Sequence, residues 1–289
     1  MTLIIDQHQL VYTITSTSNP IVKLIRALDR RKGRRENGLF VAEGLRVIAT
    51  AREQSWNPRF LLIRSSTSDT SRIRTNLIAW AAAQGATCLD VSEPVFAKIA
   101  IRDNPQDLLA VFAQRWGKPP AIVARSAVWV ALEEVRDPGN LGTIVRTADA
   151  VGARGIILVG TCCDPYAREA VRATMGSIFN VPLVRMDPED FRQWCVSWPG
   201  EVVGAHPSAR EDFRRGYQGP ILLLMGSEGP GLSPALARLC TRLVRIPMTG
   251  HADSLNLAIA TALMLYEIQR EALPEGDRAP EQGDQTPVL

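Results

Sequence analysis

Three stretches in the C-terminal half of the chain place glycines, small polar side chains and single charges directly after an apolar run. The first, LEEVRDPGNLGTIVRTADAVG (residues 132–152), turns from a strand through Asp-Pro-Gly-Asn into a helix. Asn140 stands at an N-cap-like position, Gly142 allows close backbone approach, and Arg146 falls within the first two helical turns. A capped helix with a solvated arginine is the plain alternative. The second stretch, ILLLMGSEGPGLSP (221–234), runs a strongly apolar strand into Gly226, Ser227, Glu228, Gly229, Pro230 and Gly231. Three glycines in six residues leave backbone N–H and C=O groups open to hold a flat ligand, and Glu228 is the one charge among them. The third, RIPMTGHADSLNLAIATALMLYE (245–267), is a strand, a polar loop with His251, and a helix that opens with Ser254 and Asn256. Leu255, Ile259, Ala262, Leu263 and Tyr266 share one helical face, widened by Ala258, Leu265 and Ile268. That helix reads as largely buried, so its polar start faces something specific; capping alone is the alternative. Neither G-x-G-x-x-G nor G-x-x-x-x-G-K-[ST] occurs, which excludes a P-loop and disfavours a Rossmann dinucleotide site.

The elements that must carry these stretches alternate between strand and helix. From Ala127 onward the pattern is strand AVWVALEEV, helix LGTIVRTADAVG, strand GIILVG, helix YAREAVRATMGSIF, strand VPLVRM, helix DFRQWCVSW and strand EVVGAH. Strand PILLLMGSE, helix SPALARLC, strand RLVRIPM and a last helix from Ser254 complete it. Short apolar runs without alternation predict a parallel sheet covered on both faces. Before it, NPIVKLIRALDRRKGRRENG reads as one amphipathic helix running into the basic cluster Arg30, Arg31, Lys32, Arg34 and Arg35. LFVAEGLRVIATARE, RFLLIR, NLIAWAAAQG and TCLDVS then suggest a small α/β domain. The reading is therefore an N-terminal domain over residues 1–115 with a loose arm at 1–15, a Pro-containing linker at 116–126, a second domain at 127–270 and a disordered tail at 271–289.

Composition bounds the class. With 289 residues, 46% hydrophobic and 22% charged, the chain can bury a sizeable core and has no apolar run long enough to cross a membrane. No signal peptide is evident at the N-terminus. Five scattered cysteines without C-x-x-C, and three histidines at no metal-ligand spacing, predict reduced thiols, a cytoplasmic location and no metal. The net charge of +3 is unevenly spread, at +8 over residues 1–126 and −5 over the rest. An acidic partner such as nucleic acid is expected at the N-terminal part. The basic cluster is the candidate surface for such a partner, a solvated helix end being the alternative.

Taken together and in order, DPGNLGTIVRTADAVGARGIILVG, LLMGSEGPGLS and RIPMTGHADSLNLAIATALMLYE resemble the three signature motifs of the SpoU/TrmH family of the SPOUT superfamily. Members are S-adenosylmethionine-dependent RNA 2′-O-ribose methyltransferases. VRATMGSIFNVPLVR resembles the family's connecting segment. FVAEGLRVIATA resembles, more loosely, the L30e-like substrate-binding domain of many members. The resemblance covers residues 19 to 270. It implies an α/β fold: a SPOUT domain with a parallel sheet and a deep C-terminal trefoil knot, an exception to the rule against threaded chains, plus the small N-terminal α/β domain. It further implies a homodimer whose active site draws on both subunits. The donor would lie bent in the knot, its binding residues Leu224, Gly226, Gly229, Ile246, Met248 and Leu255. Asn140, Arg146, Glu228, Ser254 and Asn256 would line the reacting centre. The added domain points to rRNA rather than tRNA as the substrate; a non-catalytic RNA-binding protein of this fold is the rival reading.

The implied reaction asks for positioning and for loss of a hydroxyl proton. A guanidinium with pKa above ~12 is a poor base, so Arg146 is expected to grip the adjacent phosphate bidentately, with the proton leaving late or to solvent. Ser254 and Asn256 are expected to hold the ribose or Arg146. His251 is a candidate base, although a lone loop histidine is more often incidental. The family commonly continues Ser-Leu-Asn with Val-Ser, whereas Leu257 and Ala258 follow here, removing one hydroxyl from the helix start.

Overall fold

The computed structural model describes residues 12–65, 71–100 and 106–273. The N-terminal part contains strands β1 (Tyr12–Ile14), β2 (Leu39–Glu43), β3 (Phe60–Arg64), β4 (Thr87–Val91) and β5 (Leu108–Ala113). They form a five-stranded mixed sheet ordered β1-β4-β3-β5-β2. Helices α1 (Pro20–Ala27), α2 (Arg31–Asn37), α3 (Leu45–Glu53), α4 (Arg72–Ala83) and α5 (Glu93–Phe96) surround it. After a connection without helix or strand comes β6 (Val128–Glu133), followed by α6 (Pro138–Ala150), β7 (Gly155–Val159), α7 (Arg168–Ala173), β8 (Leu183–Met186), α8 (Pro188–Val196) and β9 (Glu201–Ala205). The last elements among the described residues are β10 (Glu211–Asp212), β11 (Ile221–Met225), α9 (Pro234–Ala237), β12 (Arg242–Arg245) and α10 (Leu257–Ile268). These seven strands form an all-parallel sheet ordered β10-β12-β9-β11-β6-β7-β8.

Strand periodicity divides the core of this sheet. Val128, Val130 and Leu132 of β6 face α6 and α10, while Trp129 and Ala131 face the side where Phe191 and Cys195 of α8 and Leu236 of α9 pack. The first of these cores continues into the N-terminal domain. Phe40 lies 4.7 Å from Tyr166 and 6.0 Å from Phe179 between ring centroids, and Trp56 Nε1 donates to Phe179 O at 3.0 Å. The two domains thus share one apolar core, pinned by a buried ion pair between Arg34 Nε and Asp164 Oδ2 at 2.7 Å.

Several expectations are corrected. The N-terminal arm is not loose throughout, because residues 12–14 pair with β4 in parallel; residues 1–11 lie outside the described residues. The first helix is two helices. Gly33 turns α2 back against the end of α1 so tightly that a Cβ there would stand 2.1 Å from Ala27 O. Strand β5 and the two-residue β10 were not foreseen. The segment YAREAVRATMGSIF is a six-residue α7 and a separate 3-10 turn at Ser177–Phe179, broken where Met175 and Gly176 adopt positive φ. Helix α10 starts at Leu257, not Ser254, and its buried residues are Leu257, Ala258, Thr261, Met264 and Leu265. The face expected to be buried is the open one: Leu255, Ile259, Leu263 and Tyr266 are all exposed. Residues 271–273 form a turn, and the remainder of the expected tail lies outside the described residues. Among the described residues no helix is long and apolar enough to cross a membrane.

Candidate active site

In a parallel sheet the loops leaving the carboxyl ends of neighbouring strands converge, and a site forms where they meet. Here the loops after β6, β11 and β12 do so, joined by the end of β9. The loop after β6 is braced. Asp137 caps α6, its Oδ1 accepting from Asn140 N–H at 2.6 Å, so the cap is Asp137 and Asn140 stands one turn in. Gly142, two residues further, lets α7 pack directly on α6: a Cβ there would fall 2.4 Å from Ala170 O.

The loop after β11 folds on itself. Ser227 and Gly231 pair through both backbone hydrogen bonds, and Gly229 and Gly231 take φ of +88° and +73°. A Cβ on Gly226 would lie 2.0 Å from Gly231 C, so no side chain fits there. The loop is tied to the strand end before α6 by Ser227 Oγ donating to Glu134 O at 3.0 Å and Ser233 N–H donating to Glu133 Oε2 at 2.8 Å.

Glu228 connects the loops. Its carboxylate accepts from Arg136 N–H at 2.9 Å, Asp137 N–H at 3.3 Å and Asn140 Nδ2 at 3.1 Å. Asn140 Oδ1 in turn accepts from Asn256 Nδ2 at 2.9 Å, and Asn256 Oδ1 caps α10 by accepting from Ala258 and Ile259 N–H at 2.9 and 3.3 Å. Partial burial opposes ionisation of Glu228. The hydrogen bonds from Arg136, Asn140 and Asp137 together outweigh it and hold the carboxyl below its ordinary pKa. The chain Glu228–Asn140–Asn256 therefore fixes all three loops around one anion. Asn256 holds Asn140 and the start of α10, and so is committed to neither a ribose nor Arg146 within this chain.

Beside this network lies a cavity of about 360 Å³. Of the residues expected at the donor site, Gly226, Gly229, Ile246, Met248 and Leu255 line it, together with Glu228, Ser254 and Asn256. Leu224 does not: it is fully buried in β11, on the sheet face packed against α8 and α9. Ser254 is exposed at the cavity wall and caps nothing, since Asn256 takes that role. His251 lies outside the lining; His206 is in it, with Nδ1 2.8 Å from Ser208 Oγ and accepting from Ser208 N–H at 3.2 Å. His206, Met225 and Ser227 were not foreseen, although His206 sits at the end of a strand in a parallel sheet, where sites are expected. Arg146 occupies the third turn of α6 on its exposed face and does not reach the cavity. The size, the apolar wall of Met225, Ile246 and Leu257, and the glycine-lined edge fit a small flat ligand with a polar end.

The basic cluster divides. Arg30, Arg31, Lys32 and Arg35 are exposed, and Arg30 and Lys32 share with Lys23 and Arg26 a shallow cavity of about 400 Å³ between α1 and α2. Arg34 is not part of that surface. Its side chain is 5% exposed, and it donates to Asp164 and to the carbonyls of Leu28 and Asp29 at 2.8 and 3.0 Å. A guanidinium so enclosed holds the fold and cannot meet a phosphate.

Comparison with known proteins agrees with this geometry. Residues 127–266 match the SpoU rRNA Methylase family, and residues 19–110 match the MRM3-like substrate binding domain. The chain is 33% identical over 254 residues to the 23S rRNA (uridine(2479)-2′-O)-methyltransferase of Streptomyces viridochromogenes, covering 85% of this chain and 88% of that one. Among solved structures, an AdoMet-bound rRNA methyltransferase from Sinorhizobium meliloti superposes with a TM-score of 0.85 at 44% identity, covering 91% of this chain and 99% of that one. The SpoU methyltransferase AviRb of Streptomyces viridochromogenes in complex with AdoMet gives 0.78 at 31% identity, covering 88% and 99%. The chain belongs to the SpoU/TrmH family of RNA methyltransferases.

Proposed function

We infer that this enzyme transfers a methyl group from S-adenosylmethionine to a ribose 2′-hydroxyl of rRNA. The observation that carries the reading is the Glu228–Asn140–Asn256 chain, which binds the three signature loops into one wall beside a cavity that fits the donor. Relatives of nearly the same length are 23S rRNA 2′-O-methyltransferases, and related structures hold AdoMet.

The donor supplies an electrophilic methyl on a sulfonium. The chain's own residues then position the hydroxyl and the phosphate beside it. Gly226, Gly229, Ile246, Met248 and Leu255 hold the donor. Asn140, fixed from both sides, sets the start of α6. Arg146 grips the phosphate next to the reacting ribose, bidentately, and Ser254 directs its hydroxyl at the ribose. The 2′-oxygen forms the new bond to carbon as the carbon–sulfur bond breaks, and the hydroxyl proton passes to solvent, because a guanidinium does not take it.

Arg146 faces away from the donor cavity of its own chain, which supports a homodimer in which it serves the partner's cavity. The exposed row of Leu255 and, on α10, Ile259, Leu263 and Tyr266 supports the same pairing, since such a row is ordinarily covered. Helix α10 packs on α6 and β11 although β12 lies two strands away from β11. That excursion supports the trefoil knot, with the last segment drawn past the 226–232 loop. The exposed cations of α1 and α2 face RNA phosphate, and the enzyme works in the cytoplasm. The test is incubation of the purified protein with deproteinised 23S rRNA and methyl-labelled donor, followed by mapping of 2′-O-methyl positions. One labelled nucleotide is expected. Donor binding by calorimetry without any methylation of rRNA or tRNA would leave a non-catalytic RNA binder.

A further inference from the structure

Between the two domains runs a groove of about 550 Å³, walled by α3 on one side and α7 on the other. Its floor is apolar, made by the buried Val41, Val47 and Val171. Its rim is cationic: Arg46 of α3 and Arg172 of α7 are exposed, and among the described residues no ion pair holds either guanidinium. Arg168 lies deeper. Its Nε stands 2.7 Å from Asp29 Oδ1 and Nη1 donates to Ile99 O, while Nη2 is buried without a hydrogen-bond partner among the described residues. The one carboxylate in the lining, Glu43, accepts from Gln106 N–H at 3.1 Å. The groove therefore carries a surplus of positive charge and a buried donor that awaits an acceptor, an arrangement that costs free energy until one arrives.

The groove is also well placed. Met175 on the rim is 43% exposed and sits at φ +52°, a conformation an unbranched side chain adopts only when its surroundings impose it. Next to it, Gly176 is so close to α3 that a Cβ would come 2.9 Å from Thr50 Oγ1. The domains thus clamp this turn between them. Helix α7 in turn rests on α6 at Gly142, so the cationic wall belongs to the immediate neighbour of the helix that carries Asn140 and Arg146.

We propose that this groove binds one unpaired nucleotide of the RNA substrate, its base laid on the valine floor and Met175 and its phosphate held between Arg46 and Arg172. Single-stranded RNA offers what the groove asks for, since splayed bases have an apolar face, polar edges and an adjacent anion. A base edge or phosphate oxygen would satisfy Arg168 Nη2. The proposal rests on the reading of the chain as an RNA methyltransferase and assigns its substrate a second point of attachment besides the reacting centre.

The test compares Arg46→Gln, Arg172→Gln and the double variant with the parent protein, using a 23S rRNA transcript as the probe and donor calorimetry as the fold control. Each single variant is expected to weaken RNA binding about tenfold, to lower the slope of log affinity against log salt by roughly one, and to leave donor affinity unchanged. Arg192→Gln, an exposed change on α8 outside the groove, is expected to do none of this. Transcript binding by the double variant with parental affinity and parental salt slope would overturn the groove while leaving the enzyme reading intact. Absence of any RNA binding by the parent protein, with donor binding present, would overturn both.

Discussion

Glu228 and Arg34 are each the hub of three hydrogen bonds, yet they serve different ends. Arg34 is sealed: its partners are Asp164 and two carbonyls, and almost none of its side chain meets solvent. Glu228 is gripped from one side by Arg136, Asp137 and Asn140 and borders a cavity on the other. The first arrangement joins two domains through a shared core; the second aligns loops and leaves space for a ligand. The number of hydrogen bonds therefore does not distinguish a structural charge from a functional one. What remains open beside the charge does.

The contrast breaks most sharply at Arg34. Arg34→Ala leaves Asp164 buried without its cation and should cost about 3–5 kcal/mol of stability, read from urea denaturation. Donor affinity, measured where the variant is folded, should hold. A normal denaturation midpoint would show that the junction does not rest on this pair. Gly226→Ala should act oppositely in character. The new methyl has nowhere to go except into the 231–232 backbone, so the loop must move, with a cost of about 1–3 kcal/mol and loss of donor binding out of proportion to it.

At Glu228 the expected effect is smaller and specific to the loops. Glu228→Gln keeps the shape but has one acceptor oxygen in place of two, so either the Arg136 hydrogen bond or the Asp137 and Asn140 pair is lost, and those that stay are neutral and weaker by about half. Methyl transfer should fall while the fold stays. The acid limb of stability gives the sign. The folded carboxyl sits below its ordinary pKa of 4.5, so its stabilising contribution is present above that value and is lost as pH falls through the folded pKa. The parent and Glu228→Gln should therefore differ in stability at neutral pH, and the difference should shrink as the pH falls below the ordinary carboxyl value of 4.5 and through the folded pKa. A constant difference across that range would mean that the hydrogen bonds do not depend on the charge.

These contrasts also explain what the sequence could reveal. The signature loops were legible because glycines and lone charges after an apolar strand have few other uses. The role of Arg34 was not legible: within RRKGRR it looks like its neighbours, and its partner Asp164 lies 130 residues away. The face of α10 was misjudged for a related reason. Nearly every residue from Leu257 to Leu265 is apolar, so periodicity cannot say which stripe is buried, and packing on α6 and β11 decides it. Asn256 stands out in the sequence, but the partner it holds is Asn140, 116 residues earlier, which spacing could not supply. Strand β5, LLAVFA, is a short apolar run that only its pairing with β2 and β3 identifies.

The smallest effect tests the other half of the basic cluster. Arg30 is exposed and shares its cavity with Lys23, Arg26 and Lys32, so no single one of these cations is indispensable. Arg30→Gln should leave stability within about 0.5 kcal/mol of the parent, as surface changes usually do, in contrast to its near neighbour Arg34. It should weaken binding of a 23S rRNA transcript only modestly, but lower the salt slope by roughly one if the guanidinium displaces a counterion from phosphate. An unchanged slope would remove Arg30 from the RNA surface and leave the interdomain groove as the principal cationic contact. Paired with Arg34→Ala, the measurement separates two arginines four residues apart by the property that distinguishes them, access to solvent.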